Sequence, residues 1–305
     1  MAVTTEVRPP ELPPIPEIDL RPKRGWRQTK SAIATVLMGL CFVLVLIPLF
    51  FVLATVVSKG FSAVATDFPK FLTEDIPIAS RRPGPGMGPA IVGTLIITAA
   101  ATMMAVPLGI LGAVYLHEYG GQRPFSRFVR FMSYVMAGVP SIVMGLFIYV
   151  LWTLRFGFSA FGGALALACL MLPIVIRSVE EMLKLVPSTL REASYALGAR
   201  KSRTVLTVVL PSALPGVVSG CLLAVARAAG ETAPLLFTIG YVTSKNTSLF
   251  DGANTALSTQ IFKNAISPFA GAQERAWGAA LVLIVITFAF TVAARAVSSR
   301  FALKR

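Results

Sequence analysis

The chain has 305 residues, of which 55% are hydrophobic and only 14% are charged, with a formal net charge of +14. A soluble domain would carry roughly a quarter charged residues, so an ordinary soluble fold is excluded. The charges cluster between long uncharged runs, which is typical of membrane proteins and not of nucleic-acid-binding proteins. The three cysteines lie inside those runs without metal-ligand or CxxC spacing, so neither disulfide nor metal chemistry is indicated.

The first thirty residues form a Pro-rich segment that contains RPPELPPIPEIDLRP and has no apolar periodicity. This composition predicts an extended or disordered tail over residues 1–30, followed by a membrane domain over 31–305. We expect the tail to be solvated, with partner binding as the alternative. No cleavable signal peptide is expected, because the first apolar run starts late and is too long.

Six apolar runs are each near or above the roughly 20 residues that a helix needs to cross a membrane, which predicts an all-α polytopic membrane protein. The predicted spans are Ser31–Val57, Ala90–Tyr115, Phe131–Leu154, Phe158–Ile176, Val208–Leu236 and Trp277–Ala296. Four of them contain a proline, and we expect simple kinks at Pro48, Pro107, Pro140 and Pro173. Between the last two spans, Thr255–Ile266 is expected to form a short helix.

The Lys and Arg residues predict the orientation of these spans. Nineteen lie in the two termini and in the second and fourth connections, eight lie in the opposite connections, and Arg227 lies within a span. By the positive-inside rule the nineteen face the cytosol, so both termini are expected there. The basic charge therefore sets topology, and nucleic-acid binding is not indicated.

The segment between Pro187 and Pro211 combines a short amphipathic helix with a basic turn. Ser188 as N-cap and Gly198 as the left-handed residue after the helix predict about nine helical residues. Leu190, Ala193 and Leu197 form one apolar stripe. It is surrounded by Arg191, Arg200, Lys201 and Arg203. Such a helix needs a surface to lie on, and the residues alone favour a protein partner and lipid headgroups equally.

Residues 192–211 read EAS-x3-G-x9-V-x-LP, which resembles the EAA signature (EAA-x3-G-x9-I-x-LP) of the membrane subunits of binding-protein-dependent ABC importers. Ser194 and Val208 are mild departures from it. The resemblance implies the type I importer (MetI-like) permease fold, with a core over about residues 90–298. It also implies a coupling helix over 188–198 that docks into a groove of an ATPase subunit. The expected docking residues are Ser188, Leu190, Glu192, Ala193, Leu197 and Gly198.

The fifth predicted span contains Arg227 and Glu231, which are four residues apart and so share a helix face. Each charge at a helix centre costs about 2.5–3.5 kcal/mol on insertion scales. A guanidinium matches tetrahedral oxyanions with parallel donors, so Arg227 indicates an anion path, with a structural salt bridge as the alternative. Glu231 would hold Arg227 in place or repel anions until Arg227 engages one. Gly230, Thr232 and Pro234 are expected to loosen the helix there.

Longer strings over about residues 90–300 resemble the PstA type of phosphate importer permease. They are AGVPSIVMGLF, IVIRSVEEMLKLVPSTLREASYALGA, LAVARAAGETAPLLFT and IFKNAISPF. The PstC type usually has Met after the GET of the third string, where this chain has Ala233. The resemblance implies a heterodimer with a PstC-type permease, two copies of an ATP-binding subunit and an external phosphate-binding protein. Arg177 matches a basic position of the family, where it either contacts phosphate or anchors the helix end.

These patterns predict a permease subunit in the bacterial cytoplasmic (inner) membrane that passes inorganic phosphate, driven by ATP hydrolysed in another subunit. The chain lacks a GxxxxGK[ST] loop, so we expect neither enzymatic activity nor a cofactor of its own. The alternative is a permease for another oxyanion, sulfate or molybdate. A secondary carrier is disfavoured because no internal repeat is evident. An intramembrane hydrolase is disfavoured because the single histidine has no partner set.

Overall fold

The computed structural model describes residues 26–78 and 86–301, and within these ranges all regular structure is helical. Most of the predicted Pro-rich tail, residues 1–25, lies outside the described residues. The last five residues of that predicted tail belong to the first helix, α1 (Trp26–Thr66).

The chain divides after Val52 into two units. The described part of the first unit is the N-terminal portion of α1, whose apolar side chains, such as Phe42 and Phe50, are exposed. A helix that is apolar all round is typical of a membrane span.

The second unit contains the rest of α1 and all later helices. They are α2 (Lys70–Thr73), α3 (Gly88–Val114), α4 (Pro124–Gly138), α5 (Ser141–Ile148), α6 (Leu154–Phe156), α7 (Ala160–Lys184), α8 (Ser188–Ala196), α9 (Lys201–Thr204), α10 (Leu210–Ala229), α11 (Ala233–Thr238), α12 (Leu257–Ala265) and α13 (Ala270–Phe301). Wider π-helical turns follow three of them, at Tyr115–Gly120, Tyr149–Thr153 and Val205–Val209.

The core of the second unit is built on α3 and α7, which pack along their length, with α10 against α7 and α13. Small residues let the backbones approach closely, since a Cβ on Gly109 of α3 would lie 2.5 Å from the side chain of Val175. One core cluster surrounds Leu167 and Met171, and a second surrounds Leu116 and Leu183 at the other end of α7. The α3–α7 pair is therefore the frame on which the other helices are placed.

The third predicted span is broken, which corrects the expectation of a simple kink at Pro140. Helix α4 ends at Gly138, α5 begins at Ser141, and the two axes differ by 105°. Val139 and Pro140 both have extended backbones, with ψ of 128° and 136°. A proline has no N–H for the helix and pushes the preceding residue out of the α conformation.

Among the described residues, five helices are long and apolar enough to cross a membrane, or six if the bent pair counts as one span. The fifth predicted span is also interrupted, because α10 ends at Ala229 and α11 begins only at Ala233. A continuous helix to Leu236 was therefore wrong, whereas the loosening expected at this level is present as a full break. Helix α12 confirms the short helix predicted within Thr255–Ile266.

Candidate functional site

A cleft of about 640 Å³ opens between the α4–α5 break, α7 and the end of α10. Its charged lining residues are Arg177 and Glu181 from α7, Arg227 from α10, and Glu231 just beyond α10. The rest of its lining is Met136, Ala137, Val139, Pro140, Ser141, Leu170, Met171, Pro173, Ile174, Ser178, Ala224 and Ala228. The structure therefore brings three of the four predicted path residues to one cleft. The bend at Pro140 forms one of its walls.

Arg227 and Glu231 remain paired although the helix ends between them. The Nε of Arg227 lies 3.7 Å from Oε1 of Glu231, and the Arg227 side chain is 70% exposed. The carbonyl of Glu231 accepts a hydrogen bond of 2.8 Å from the hydroxyl of Ser258 on α12. The break after α10 is thus fixed to α12, while the guanidinium extends into the open cleft.

Arg177 repeats this arrangement on α7. Its Nε donates to Oε1 of Glu181 at 3.3 Å, and its guanidinium carbon lies 5.8 Å from the ring centre of Tyr134. Exposed pairs of this kind contribute little stability, so they do not explain why charges lie in an apolar bundle. Each guanidinium has five N–H donors, and most remain available to an oxyanion.

The four charges of the cleft sum to zero. The carboxylates therefore weaken the attraction of the cleft for an anion, unless the anion presents a donor to one of them. Glu181 was not singled out from the sequence, although it stands four residues after Arg177, the spacing that links Arg227 to Glu231. That repeated spacing was the signal that could have found it.

Thr232 does not line the cleft. It precedes α11, and its carbonyl accepts hydrogen bonds from the backbone of Leu235 and Leu236. Its backbone contacts stabilise the start of α11, and its side chain is not part of the cleft lining.

Helix α8 presents the predicted docking residues on the surface. Leu190 and Leu197 are 42% and 89% exposed, and Ser188, Glu192, Ala193 and Gly198 are exposed as well. Gly198 has a φ of +78°, as expected for the residue that follows the helix end. The N-cap is Pro187 and no side chain caps the helix, so the prediction of Ser188 as N-cap was wrong by one position.

The opposite face of α8 is fixed to the bundle through Arg191, one of the four basic residues predicted to surround the apolar stripe. The Arg191 side chain is 17% exposed and pairs with Glu118 at 3.0 Å. The hydroxyls of Ser194 and Thr204 lie 2.9 Å apart, and both residues are buried. One face of α8 is therefore anchored, and the other is open to a partner.

Comparisons with known proteins identify the family of the chain. The family model of the binding-protein-dependent transport system inner membrane component matches residues 105–303. The chain is 45% identical over 275 residues to the phosphate transport system permease protein PstA of Mycobacterium leprae, covering 90% of each chain. It is 38% identical over 281 residues to the PstA protein of Yersinia pestis, covering 92% of this chain and 94% of that protein. The chain therefore belongs to the binding-protein-dependent transport system inner membrane components, and within them to the PstA permeases that these relatives represent.

Solved structures show the same fold at low identity. A chain of the MetNI methionine ABC transporter, in inward-facing conformations, has a TM-score of 0.59 at 19% identity and covers 70% of this chain and 94% of that chain. A chain of a bacterial alginate ABC transporter has a TM-score of 0.62 at 13% identity and covers 92% and 99%, respectively. The type I importer permease fold is thus confirmed, and the protein is a multi-pass component of the inner membrane.

Proposed function

We propose that this chain is the transmembrane permease subunit of an ATP-driven ABC importer that moves inorganic phosphate into the cytosol by alternating access. The observation that carries the proposal is that Arg177 and Arg227 line one open cleft, in a chain whose predicted docking helix, α8, has an exposed face. The relatives with 34–45% identity that are named phosphate transport system permease proteins support phosphate as the cargo.

In this account the guanidinium groups of Arg177 and Arg227 bind the anion, and the neighbouring carboxylates set when it binds. Each arginine pairs through its Nε with a glutamate four residues later, so phosphate binds to the remaining N–H donors beside that carboxylate. The break between α10 and α11 and the bend at Pro140 let the walls of the cleft move without unwinding a continuous span. Movement of these walls changes the side to which the cleft is open.

The energy comes from outside the chain. Two copies of an ATP-binding subunit hydrolyse ATP in the cytosol, and one docks on the exposed face of α8 around Glu192. The other membrane half is a PstC-type permease, and an external binding protein delivers phosphate. Both termini lie in the cytosol, on the side that the excess of Lys and Arg favours. The exposed aromatic and aliphatic side chains of α4 and α5, such as Phe131 and Phe147, suit contact with the second permease and with lipid.

Sulfate and molybdate are the alternative cargoes, and the carboxylates of the cleft favour phosphate over both. Near neutral pH phosphate still carries a proton, whereas sulfate and molybdate carry none. Glu181 and Glu231 can accept a hydrogen bond from the P–OH group but only repel an oxyanion that has no donor.

Uptake of labelled phosphate, sulfate and molybdate tests the proposal in cells that depend on this chain, with a Glu192→Ala strain in parallel. We expect phosphate uptake that is lost in the Glu192→Ala strain at unchanged membrane abundance. Uptake of sulfate or molybdate in place of phosphate would transfer the proposal to that anion. Phosphate uptake unaffected by Glu192→Ala would contradict the docking role of α8.

A further inference from the structure

Arg191 makes more polar contacts than any other docking-helix side chain in the described part of the chain. Its Nη1 donates to the carbonyl of Val186 at 2.7 Å, and its Nη2 donates to the carbonyl of Leu183 at 3.0 Å. Its Nε and Nη2 both donate to Oε1 of Glu118, at 3.3 and 3.0 Å. Nε2 of His117 lies 3.4 Å from the same Nη2. One guanidinium therefore joins α8 to a turn 73 residues earlier in the sequence and to the end of α7, which directly precedes α8 in the chain.

The first of these segments is the π-helical turn Tyr115–Gly120 that ends α3. Glu118 lies on this turn with only 6% of its side chain exposed. Arg130 of α4 holds the same turn from another side, by donating to the carbonyls of Leu116 and Gly121. Single wide turns of this kind are frequent at functional sites. The end of α3 is thus held between two guanidinium groups, one of which belongs to the docking helix.

The second segment is the end of α7. The last carbonyls of a helix have no partner within it and carry partial negative charge, so a guanidinium binds them well. Leu183 is six residues beyond Arg177, about 9 Å along the axis of α7. Displacement of α8 therefore acts, through Arg191, on the same rigid helix that carries Arg177 and Glu181 into the cleft.

We propose that Arg191 is the positioning residue that transmits movement of the docking helix to α7 and to the end of α3. The proposal rests on the function proposed above and adds a residue that contacts neither the ATPase nor the anion. Its side chain points away from the exposed face formed by Leu190, Glu192 and Leu197. Loss of Arg191 therefore leaves the docking face in place but removes the side-chain link between α8, the end of α7 and the end of α3.

The test uses the complete transporter in liposomes, with this chain, its partner permease, the ATPase subunits and the binding protein. Phosphate uptake and ATP hydrolysis are measured in the same vesicles, and ATPase retention is measured by co-purification. The variants are Arg191→Gln, Arg191→Lys, Glu118→Gln and the double change of Arg191 and Glu118 to Gln. The matched control is Arg127→Gln, which removes an exposed arginine of α4.

We expect Arg191→Gln to retain the ATPase and its hydrolysis, while the phosphate moved per ATP falls about tenfold or more. Arg191→Lys keeps part of the coupling, because an ammonium replaces some of the five donors. The double variant is no worse than Arg191→Gln alone, because the two residues act as one unit. Arg127→Gln leaves the ratio of phosphate transported to ATP hydrolysed unchanged.

If Arg191→Gln transports as much phosphate per ATP as the wild type, the inference is wrong. A parallel fall in retention, hydrolysis and uptake would also contradict it, because Arg191 would then only maintain assembly. The proposed function is tested separately by the wild-type vesicles. If they take up sulfate or molybdate instead of phosphate, the proposed function is wrong. The effect of Arg191→Gln is then measured as the number of those anions transported per ATP hydrolysed.

Discussion

The Nε of Arg227 lies 3.7 Å from Oε1 of Glu231, although α10 ends between the two residues. The pair therefore combines an arginine fixed on a helix with a glutamate on the break that follows it. The carbonyl of Glu231 is bonded to Ser258, so the break is also linked to α12. A change of position at this break would move the Glu231 carboxylate relative to Arg227.

Replacing Glu231 by Gln tests this relationship. The substitution keeps the size of the side chain but removes the negative charge that competes with phosphate for Arg227. We expect the apparent KM for phosphate to fall a few-fold and the maximal uptake rate to fall as well, because the bound anion is released more slowly. Uptake rates across a range of phosphate concentrations give both parameters. Kinetics identical to those of the wild type would show that Glu231 has no gating role.

Gly198→Ala tests the turn that follows the docking helix. The φ of +78° suits glycine, and an added Cβ would meet no atom within 4 Å, so the cost of about 1–2 kcal/mol is purely conformational. Gly157 is the control away from α8, with an open surrounding, a φ of +85° and a ψ of 177°, a conformation that is essentially limited to glycine. Both variants should lower the thermal midpoint of the purified protein, Gly157→Ala at least as much as Gly198→Ala. Only Gly198→Ala should weaken co-purification of the ATPase, and equal retention in both would contradict a docking role for this turn.

The Ser194–Thr204 pair is suited to a double-mutant cycle. Both hydroxyl-bearing residues are buried and their oxygens lie 2.9 Å apart. Ser194→Ala or Thr204→Val alone leaves one buried hydroxyl unsatisfied and is expected to cost about 1–3 kcal/mol. The double variant should cost clearly less than the sum of the two single changes. Thermal denaturation of the four proteins measures the difference, and strict additivity would show that the two hydroxyls do not interact.

Gly145→Ala tests the packing behind the cleft. A Cβ on Gly145 of α5 would lie 2.5 Å from Cα of Pro234 on α11, so the two helices must separate. Overpacking of this kind costs about 1–3 kcal/mol. The control is Gly138→Ala at the end of α4, where nothing lies within 4 Å. We expect lower thermal stability and lower phosphate uptake for Gly145→Ala alone. Equal behaviour of the two variants would show that α5 can move away from α11 without consequence.

Most of the helices, including the exposed helix α8, could be predicted from the sequence because each depends on neighbours in the chain. Periodicity and spacing identify α8, and the left-handed Gly198 follows from its helix end. The anchoring of Arg191 could not be predicted, because Glu118 lies 73 residues earlier and only the packing of α3 against α7 brings it near. Local patterns reveal which charges are present but not which of them become buried together.

The bend at Pro140 also could not be predicted from the sequence alone. A proline in an apolar run is compatible with a kink or with a full break, and the outcome depends on what the two halves pack against. Here α5 packs against α7 and α11, which stabilises a bend of 105°. The cleft beside Arg177 and Arg227 exists because of this bend. Arg227 and Glu231 could therefore be proposed as anion-path residues from their chemistry, whereas the cavity that joins them to Arg177 could not be predicted.

Passage of phosphate through the cleft at Arg227 is tested by measuring phosphate uptake in cells whose only copy of this chain carries Arg227→Ala. Membrane abundance and ATPase retention are checked in the same cells, and Arg123→Ala, an exposed arginine just before α4, is the control. If phosphate passes this cleft, Arg227→Ala abolishes uptake, while membrane abundance, ATPase retention and uptake by the control variant remain normal. Normal uptake in Arg227→Ala would contradict such passage, and the arginine would then be only a structural partner of Glu231.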